Sequence, residues 1–249
     1  MRLFLHQLRG ESRLYLRSRE LAFFTFLLPL ILFVLLGSAY GENEIDGVPG
    51  HEYLMAGTIG YGVVATAFAG LAIVLVLRRE EGILKRLRAT PLPAPVYVAA
   101  VLATTMAAFV LQAICTIALA MLVFGASFPD RPLSLFPALL LGAAAFAALG
   151  VAITSFVRRA EGASAVVNAI YFPMLFISGS FFSQESFPGV LRAVADVLPL
   201  TYFIQLVTAI AVRGEQIWER PVDVAVVAAW GAVGALVALR RFHWTPTQD

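Results

Sequence analysis

The chain is 249 residues long, 60% hydrophobic and only 14% charged, with a formal net charge of +2 at pH 7. An ordinary globular domain is roughly 45–50% apolar, so this chain has too little polar surface to stay soluble, and its charge gives no reason to expect a nucleic-acid partner. A single cysteine, Cys115, excludes a disulfide framework and a cysteine-based metal site within one chain.

Residues 1–20 read as an amphipathic basic helix. At about 100° per residue, Phe4, Leu5, Leu8, Tyr15 and Leu16 gather on one side and Arg2, His6, Arg9, Arg13 and Arg17 on the other. Such a helix suits a cytoplasmic membrane interface, where its charge sets topology or meets a partner. The apolar run at 21–40 follows without the small-residue pattern of a cleavage site, so it is expected to be a retained first span rather than a signal peptide. About 20 apolar residues cross the ~30 Å hydrocarbon layer as a helix, and further runs of that order lie at 54–77, 95–124, 133–157, 163–182 and 222–239. None holds an ionisable residue at depth except Asp223, at the start of the last one.

Between the first two spans, residues 41–52 carry Glu42, Glu44, Asp46 and Glu52 with no Lys or Arg, the composition of a plain solvated external turn. Gly57, Gly60 and Gly62 in the second span, and the stretch from Gly142 to Gly150 in the fourth, suit close helix packing. The loop at 78–93, between the second and third spans, is more elaborate. It contains REEGILKRLRATPLP from Arg79 to Pro93, mixing acid with base and placing Glu81 four residues before Lys85, so it reads as a short polar helix stopped at Thr90 and Pro91. Ile83, Leu84 and Leu87 give it apolar contact points for a groove on a cytoplasmic partner.

The run at 198–212 is ambiguous, being about 15 residues long and short for a span. With six spans, the cytoplasmic side receives Arg2, Arg9, Arg13, Arg17, Arg19, Arg78, Arg79, Lys85, Arg86, Arg88, Arg158, Arg159, Arg240 and Arg241, and the other side only Arg131, Arg192, Arg213 and Arg220. A seventh span would move the basic carboxy terminus outside, against the positive-inside rule. Residues 183–220 are therefore expected to hold an external re-entrant element at 187–212. Its first part is a short amphipathic helix with Phe187, Val190, Leu191, Val194 and Leu198 on one face, stopped by Pro199. The expected fold is all-α: one transmembrane domain over 1–249 with six spans, both termini cytoplasmic, in the plasma or inner membrane.

Chemistry within the spans is sparse. His6, His51 and His243 all fall outside them, so neither a general base nor a metal ligand is available at depth, and Ser178, Gly179 and Ser180 have nothing nearby to activate a hydroxyl. Ion-coupled transport usually leaves ionisable residues in the spans. No G-x-x-x-x-G-K-[ST] phosphate loop occurs, so active transport would need a separate ATPase subunit.

The stretch EEGILKRLRATP from Glu80 to Pro91 resembles the coupling segment of ABC-2-type exporter permeases, in the branch of the daunorubicin-exporter-like membrane subunits. The LPLTY stretch from Leu198 to Tyr202 resembles the external motif that this family carries before its last span, with Leu198 where Asn is frequent. The resemblance extends over the whole layout. It implies a permease that pairs with a second copy or a homologous permease and binds an ABC ATPase, which would hold the ATP and Mg that this chain lacks. Carried over, Arg79, Glu80, Glu81, Gly82, Leu84, Lys85 and Leu87 would couple ATP-driven closure to the spans, supported by Arg13 and Arg17. Pro199, Leu200, Thr201 and Tyr202 would form the external motif. The path between two copies would be lined by the second and fifth spans, at Thr58, Tyr61, Thr66, Phe68, Asn168, Tyr171, Phe172 and Met174. Such a lining suits a hydrophobic or amphipathic cargo (a drug, a secondary metabolite or a lipid-linked molecule) exported by alternating access among membrane lipids. Two other readings stand beside it: a non-transporting scaffold that anchors a cytoplasmic ATPase, and an intramembrane enzyme, which would need a reactive residue at a position such as Ser180.

Overall fold

A computed structural model describes residues 2–89, 92–157 and 160–241. Helices dominate. After α1 (Arg2–Arg17) come α2 (Phe23–Tyr40), α3 (Gly50–Glu80), the short α4 (Ile83–Arg88), α5 (Ala94–Phe124), α6 (Pro132–Thr154), α7 (Ala160–Ile177), α8 (Gly189–Ala195), α9 (Pro199–Ala211) and α10 (Pro221–Arg241). Proline opens the first turn of α5, α6, α9 and α10, where its missing N–H and fixed φ cost nothing. Gly125, with φ 67°, closes α5 in the left-handed conformation that favours glycine.

Among the described residues, α2, α3, α5, α6 and α10 are long and apolar enough to cross a membrane, so the chain is an all-α multi-pass membrane protein. The run expected at 163–182 becomes α7, which ends at Ile177 because Gly179 turns left-handed at φ 79°. The expected re-entrant segment is a bent pair, α8 and α9, meeting at 78°. Pro199 begins α9 as well as ending what precedes it. The apolar face assigned to α8 does not pack inward: Val190, Leu191 and Val194 are exposed, and Ala195 is the buried residue.

The core sits around α3, whose most apolar stretch is 78% buried, against 22% for α2 and 17% for α10. Close approaches at small residues make this possible, as the sequence suggests. A Cβ on Gly57 would stand 1.6 Å from the Ser180 carbonyl oxygen, and one on Gly150 would meet the backbone carbonyls of Ala67 and Phe68 at 2.8 and 2.7 Å. Two stretches adopt π-helical turns: Phe23–Leu27 at the start of α2 and Val64–Gly70 in the middle of α3. Such insertions are frequent where a helix serves function.

One expectation is overturned. Residues 41–52 are not a plain solvated turn but contain an antiparallel hairpin, β1 (Glu44–Ile45) and β2 (Val48–Pro49), turning at Asp46 and Gly47 with φ 52° and 75°. The Asp-Gly pair is the residue choice that a tight hairpin turn with positive φ demands. The Asp46 carboxylate accepts a hydrogen bond from Ser183 Oγ, and its main-chain carbonyl accepts one from Arg213 Nη2 at 3.3 Å, so the tip is tied to two distant segments.

Candidate functional site

The molecule has two ends of different character. One, here the basic end, gathers α1, α4, the end of α3 and the start of α5. The other, the hairpin end, gathers the hairpin, the turn after α7, and the α8–α9 bend.

At the basic end, α1 lies along α5 and points Leu8, Glu11 and Tyr15 inward, while Leu3, Leu5, Leu14 and Leu16 are exposed. Glu11 is 6% exposed, an unusual depth for a carboxylate. It is satisfied by Arg78 Nη2 at 2.8 Å and by Gln7 Nε2 at 3.1 Å, and Arg78 Nη1 donates to the Tyr97 hydroxyl at 2.8 Å. Three elements are thereby tied at one guanidinium: α1, the end of α3 and the start of α5. Four residues further along α1, the Tyr15 hydroxyl shares a 2.7 Å hydrogen bond with Thr25 Oγ1 in the π turn of α2. Burial raises the Tyr15 phenol above its usual pKa, with the hydroxyls of Thr25 and Thr66 pulling the other way.

The proposed coupling residues divide by depth. Arg79 is 5% exposed, and its guanidinium donates to the carbonyls of Thr154, at 2.9 Å, and Val157. It thus caps the carboxy-terminal end of α6, where helix carbonyls lack intrahelical partners and the helix dipole favours a cation. Gly82 breaks the chain between α3 and α4 with φ 69°. Leu84 is fully buried and anchors α4 to the core. Arg13, Arg17, Glu80, Glu81 and Lys85 are exposed, and Arg86 Nη2 donates to the Glu81 carbonyl at 3.0 Å. The side chain of Leu87, and Thr90 and Pro91, lie outside the described residues.

The proposed path residues also divide. Tyr61, Asn168, Tyr171 and Phe172 line a groove of about 460 Å³ between α2, α3 and α7, together with Ser18, Thr25, Ala65 and Ala69. The rings of Tyr61 and Tyr171 meet edge to face at 6.0 Å. Both π turns contribute to its wall. Thr66 instead lines a neighbouring cavity of about 310 Å³ beneath α1, beside Glu11, Tyr15 and Arg78. Thr58, Phe68 and Met174 are buried between helices and are absent from the lining of the groove.

At the hairpin end, the P-L-T-Y residues build the α8–α9 bend. Pro199 starts α9, Leu200 is fully buried, Thr201 is 1% exposed, and the Tyr202 hydroxyl donates back to the Asp196 carbonyl at 2.8 Å. Trp230 Nε1 donates to the Val197 carbonyl at 3.0 Å, tying α10 to the same bend. Leu198 caps α9 in an extended conformation without a side-chain hydrogen bond and packs on the core.

Sequence reading missed Glu11, Tyr97 and Tyr53, and placed Arg78 only as topology-setting charge. Glu11 carries a readable signal, because at helical spacing it falls among Phe4, Leu8 and Tyr15 on the apolar side of a basic helix. Tyr53 carries none: its hydroxyl donates to the Gly179 and Phe182 carbonyls, at 2.6 and 3.0 Å, across a wide gap in sequence.

Residues 2–212 match the sequence profile described as ABC-2 type transporter. A Bacillus subtilis (strain 168) protein named as a transport permease, YvfS, is 27% identical over 201 residues, covering 78% of this chain and 79% of that protein. An Escherichia coli (strain K12) protein named as a multidrug ABC transporter permease, YbhS, is 31% identical over 67 residues, 26% of this chain and 18% of its own length.

Proposed function

The chain belongs to the ABC-2 type transporter family, and from that premise we propose that it is the membrane half of an ATP-driven exporter for a hydrophobic or amphipathic cargo. A separate ABC ATPase subunit holds the ATP and Mg and supplies the energy. The basic end faces the cytoplasm with both termini, the hairpin end faces outward, and α2, α3, α5, α6, α7 and α10 serve as six spans. Two permeases, identical or homologous, pair across the groove between α2, α3 and α7.

The observation that carries this reading is the linkage from the basic end to the groove. The exposed Glu80, Glu81 and Lys85 meet the ATPase, and the exposed Arg13 and Arg17 of α1 support the same contact. Leu84 seats α4 in the core, so a push on α4 reaches the end of α3. Arg78 passes it to Glu11 and Tyr97, and α1 passes it through Tyr15 to Thr25 in the groove wall. Charge-assisted hydrogen bonds are short and directional, which lets these elements move as a block. The π turns in the wall are the places where that movement can change the shape of the groove. Alternating access then follows as two arrangements of the permease pair, selected by the nucleotide state of the partner.

The test is ATP-dependent accumulation of a fluorescent hydrophobic compound in inverted vesicles that contain the chain and the ATPase encoded beside it. Accumulation should require ATP and stop when Gly82 is replaced by valine, while ATP hydrolysis persists. Accumulation independent of ATP, or no co-purifying ATPase, contradicts the proposal. A Gly82→Val variant that only weakens assembly would favour the scaffold reading.

A further inference from the structure

The hairpin end surrounds a further, half-open cavity, of about 320 Å³, that the proposed groove does not include. One wall is α9. Leu200, Phe203, Leu206, Val207 and Ile210 of this helix are fully buried in the core, whereas Thr201, Gln205 and Thr208 recur at i, i+4 and i+7 and line the cavity as one polar stripe. A helix at membrane depth keeps such a stripe where it faces a cavity or pairs with protein.

The opposite wall is the turn after α7. Ser178 lines the cavity at 2% exposure, and its Oγ has no hydrogen-bond partner. A buried hydroxyl left unpaired is costly, and it marks a place for water or a ligand. The turn is held by a contact within the cavity wall itself, since Tyr53 also lines the cavity and its hydroxyl donates to the Gly179 carbonyl at 2.6 Å. Asp46, at the hairpin tip, stands over the cavity with Arg213.

The charged groups around it offset one another. Arg220 Nε lies 2.7 Å from Glu215 and its Nη1 lies 3.9 Å from Asp223, while Arg213 donates to the Asp46 carbonyl and Ser183 to the Asp46 carboxylate. Of these groups Arg213, Arg220 and Asp46 line the cavity, and Glu215 and Asp223 stand behind Arg220, so the guanidinium charge is offset by neighbouring carboxylates and neither sign is left to hold an ion. What remains for recognition is neutral: the unpaired Ser178 hydroxyl, the Gln205 amide, the acceptor side of the Thr208 hydroxyl, whose proton goes to the Ile204 carbonyl at 2.9 Å, and the Gln184 amide with Thr201, which meet each other at 3.4 Å. The volume falls at the lower end of the ~300–1,000 Å³ of small-ligand pockets.

We propose that this cavity binds the uncharged, hydroxyl-rich head of an amphipathic ligand, a polyol or a sugar-like group, before release past the hairpin. The proposal rests on the reading of the chain as an exporter of amphipathic cargo, and its test does not depend on transport. The permease–ATPase assembly in lipid nanodiscs, carrying Cys115→Ser and Ser178→Cys, is labelled with a small membrane-impermeant thiol reagent. Octyl glucoside, octanoate and octyltrimethylammonium are compared as protectants below their micelle-forming concentrations. They share a tail and differ in the head. Octyl glucoside should slow labelling about tenfold at roughly ten times its dissociation constant, as single-site occupancy requires, and the two ionic probes should not. Adding Gln205→Leu should abolish that protection while the ATPase remains bound. Equal protection by all three probes, protection by an ionic head alone, or none by octyl glucoside would overturn the assignment. Should Ser178→Cys not fold, saturable binding of radiolabelled octyl glucoside to the unmodified assembly, lost on Gln205→Leu, decides the same question. Binding of the glucoside without ATP-driven transport would refute the exporter reading and leave the site standing.

Discussion

The two ends of the molecule are tied together by different chemistry. At the basic end the ties are buried and charged: Arg78 joins Glu11 to Tyr97, and Arg79 holds the end of α6. At the hairpin end most ties are exposed or half-exposed contacts to backbone, such as Tyr202 to Asp196, Trp230 to Val197 and Arg213 to Asp46. A buried ion pair is expensive to break, because the remaining partner stays desolvated. An exposed hydrogen bond can be exchanged for one with water at little cost. The basic end is therefore the harder of the two to pull apart, and the hairpin end the easier.

The largest effect should come from breaking the block. Arg78→Ala leaves Glu11 buried without its cation and should destabilise the protein by about 3–5 kcal/mol, read as a lower melting temperature in nanodiscs. The paired change Glu11→Leu with Arg78→Met removes both charges and should recover most of that loss. Coupling of ATP hydrolysis to transport should stay impaired in the double variant, which separates a role in force transfer from one in stability alone.

Gly57→Ala should come next. Its Cβ would fall 1.6 Å from the Ser180 carbonyl oxygen, so α3 and the turn after α7 must separate. Overpacking of this kind costs about 1–3 kcal/mol, and a melt of the purified protein measures it. Because that turn carries Ser178, the variant also tests whether the hairpin-end cavity keeps its shape.

Tyr202→Phe should have a smaller effect, about 1 kcal/mol for one hydrogen bond to a carbonyl, detected as faster hydrogen exchange around the α8–α9 bend. The smallest belongs to Glu80→Gln. An exposed substitution of this kind shifts stability by no more than about 0.5 kcal/mol, yet it should weaken ATPase binding if this surface is the docking face. Loss of stability with unchanged ATPase affinity would reverse the roles assigned to Glu80 and Arg78.

Much of this architecture could be read from the sequence, because a membrane span must satisfy its own backbone and announces itself as a long apolar run. For the short run beginning at Pro199, charge asymmetry favours an external re-entrant element, and the stop at Pro199 anticipates the break between α8 and α9, whose 78° bend suits either a re-entrant element or a broken span. Local pattern failed where contacts join distant segments. Asp46 looked like one acid among several in a solvated turn, although Asp46 and Gly47 flanked by Ile45 and Val48 carry the signal of a tight hairpin. Arg79 looked like part of a docking surface, and nothing near it in sequence reveals that the end of α6 supplies its acceptors. The groove residues were half legible. Helical spacing places Tyr61 and Thr58 close together on α3, but which of them meets the groove depends on the π turn and on where α7 packs.

The most direct measurement of the account is the number of cargo molecules moved per ATP hydrolysed by the purified permease–ATPase assembly in sealed vesicles. It compares the unmodified chain with the Glu11→Leu, Arg78→Met double variant. The account predicts that the variant assembles and hydrolyses ATP at a rate near that of the unmodified protein, while its transport per ATP falls. An unchanged ratio, with transport and hydrolysis intact or reduced in parallel, would contradict the claim that this buried contact carries the work of the ATPase into the membrane.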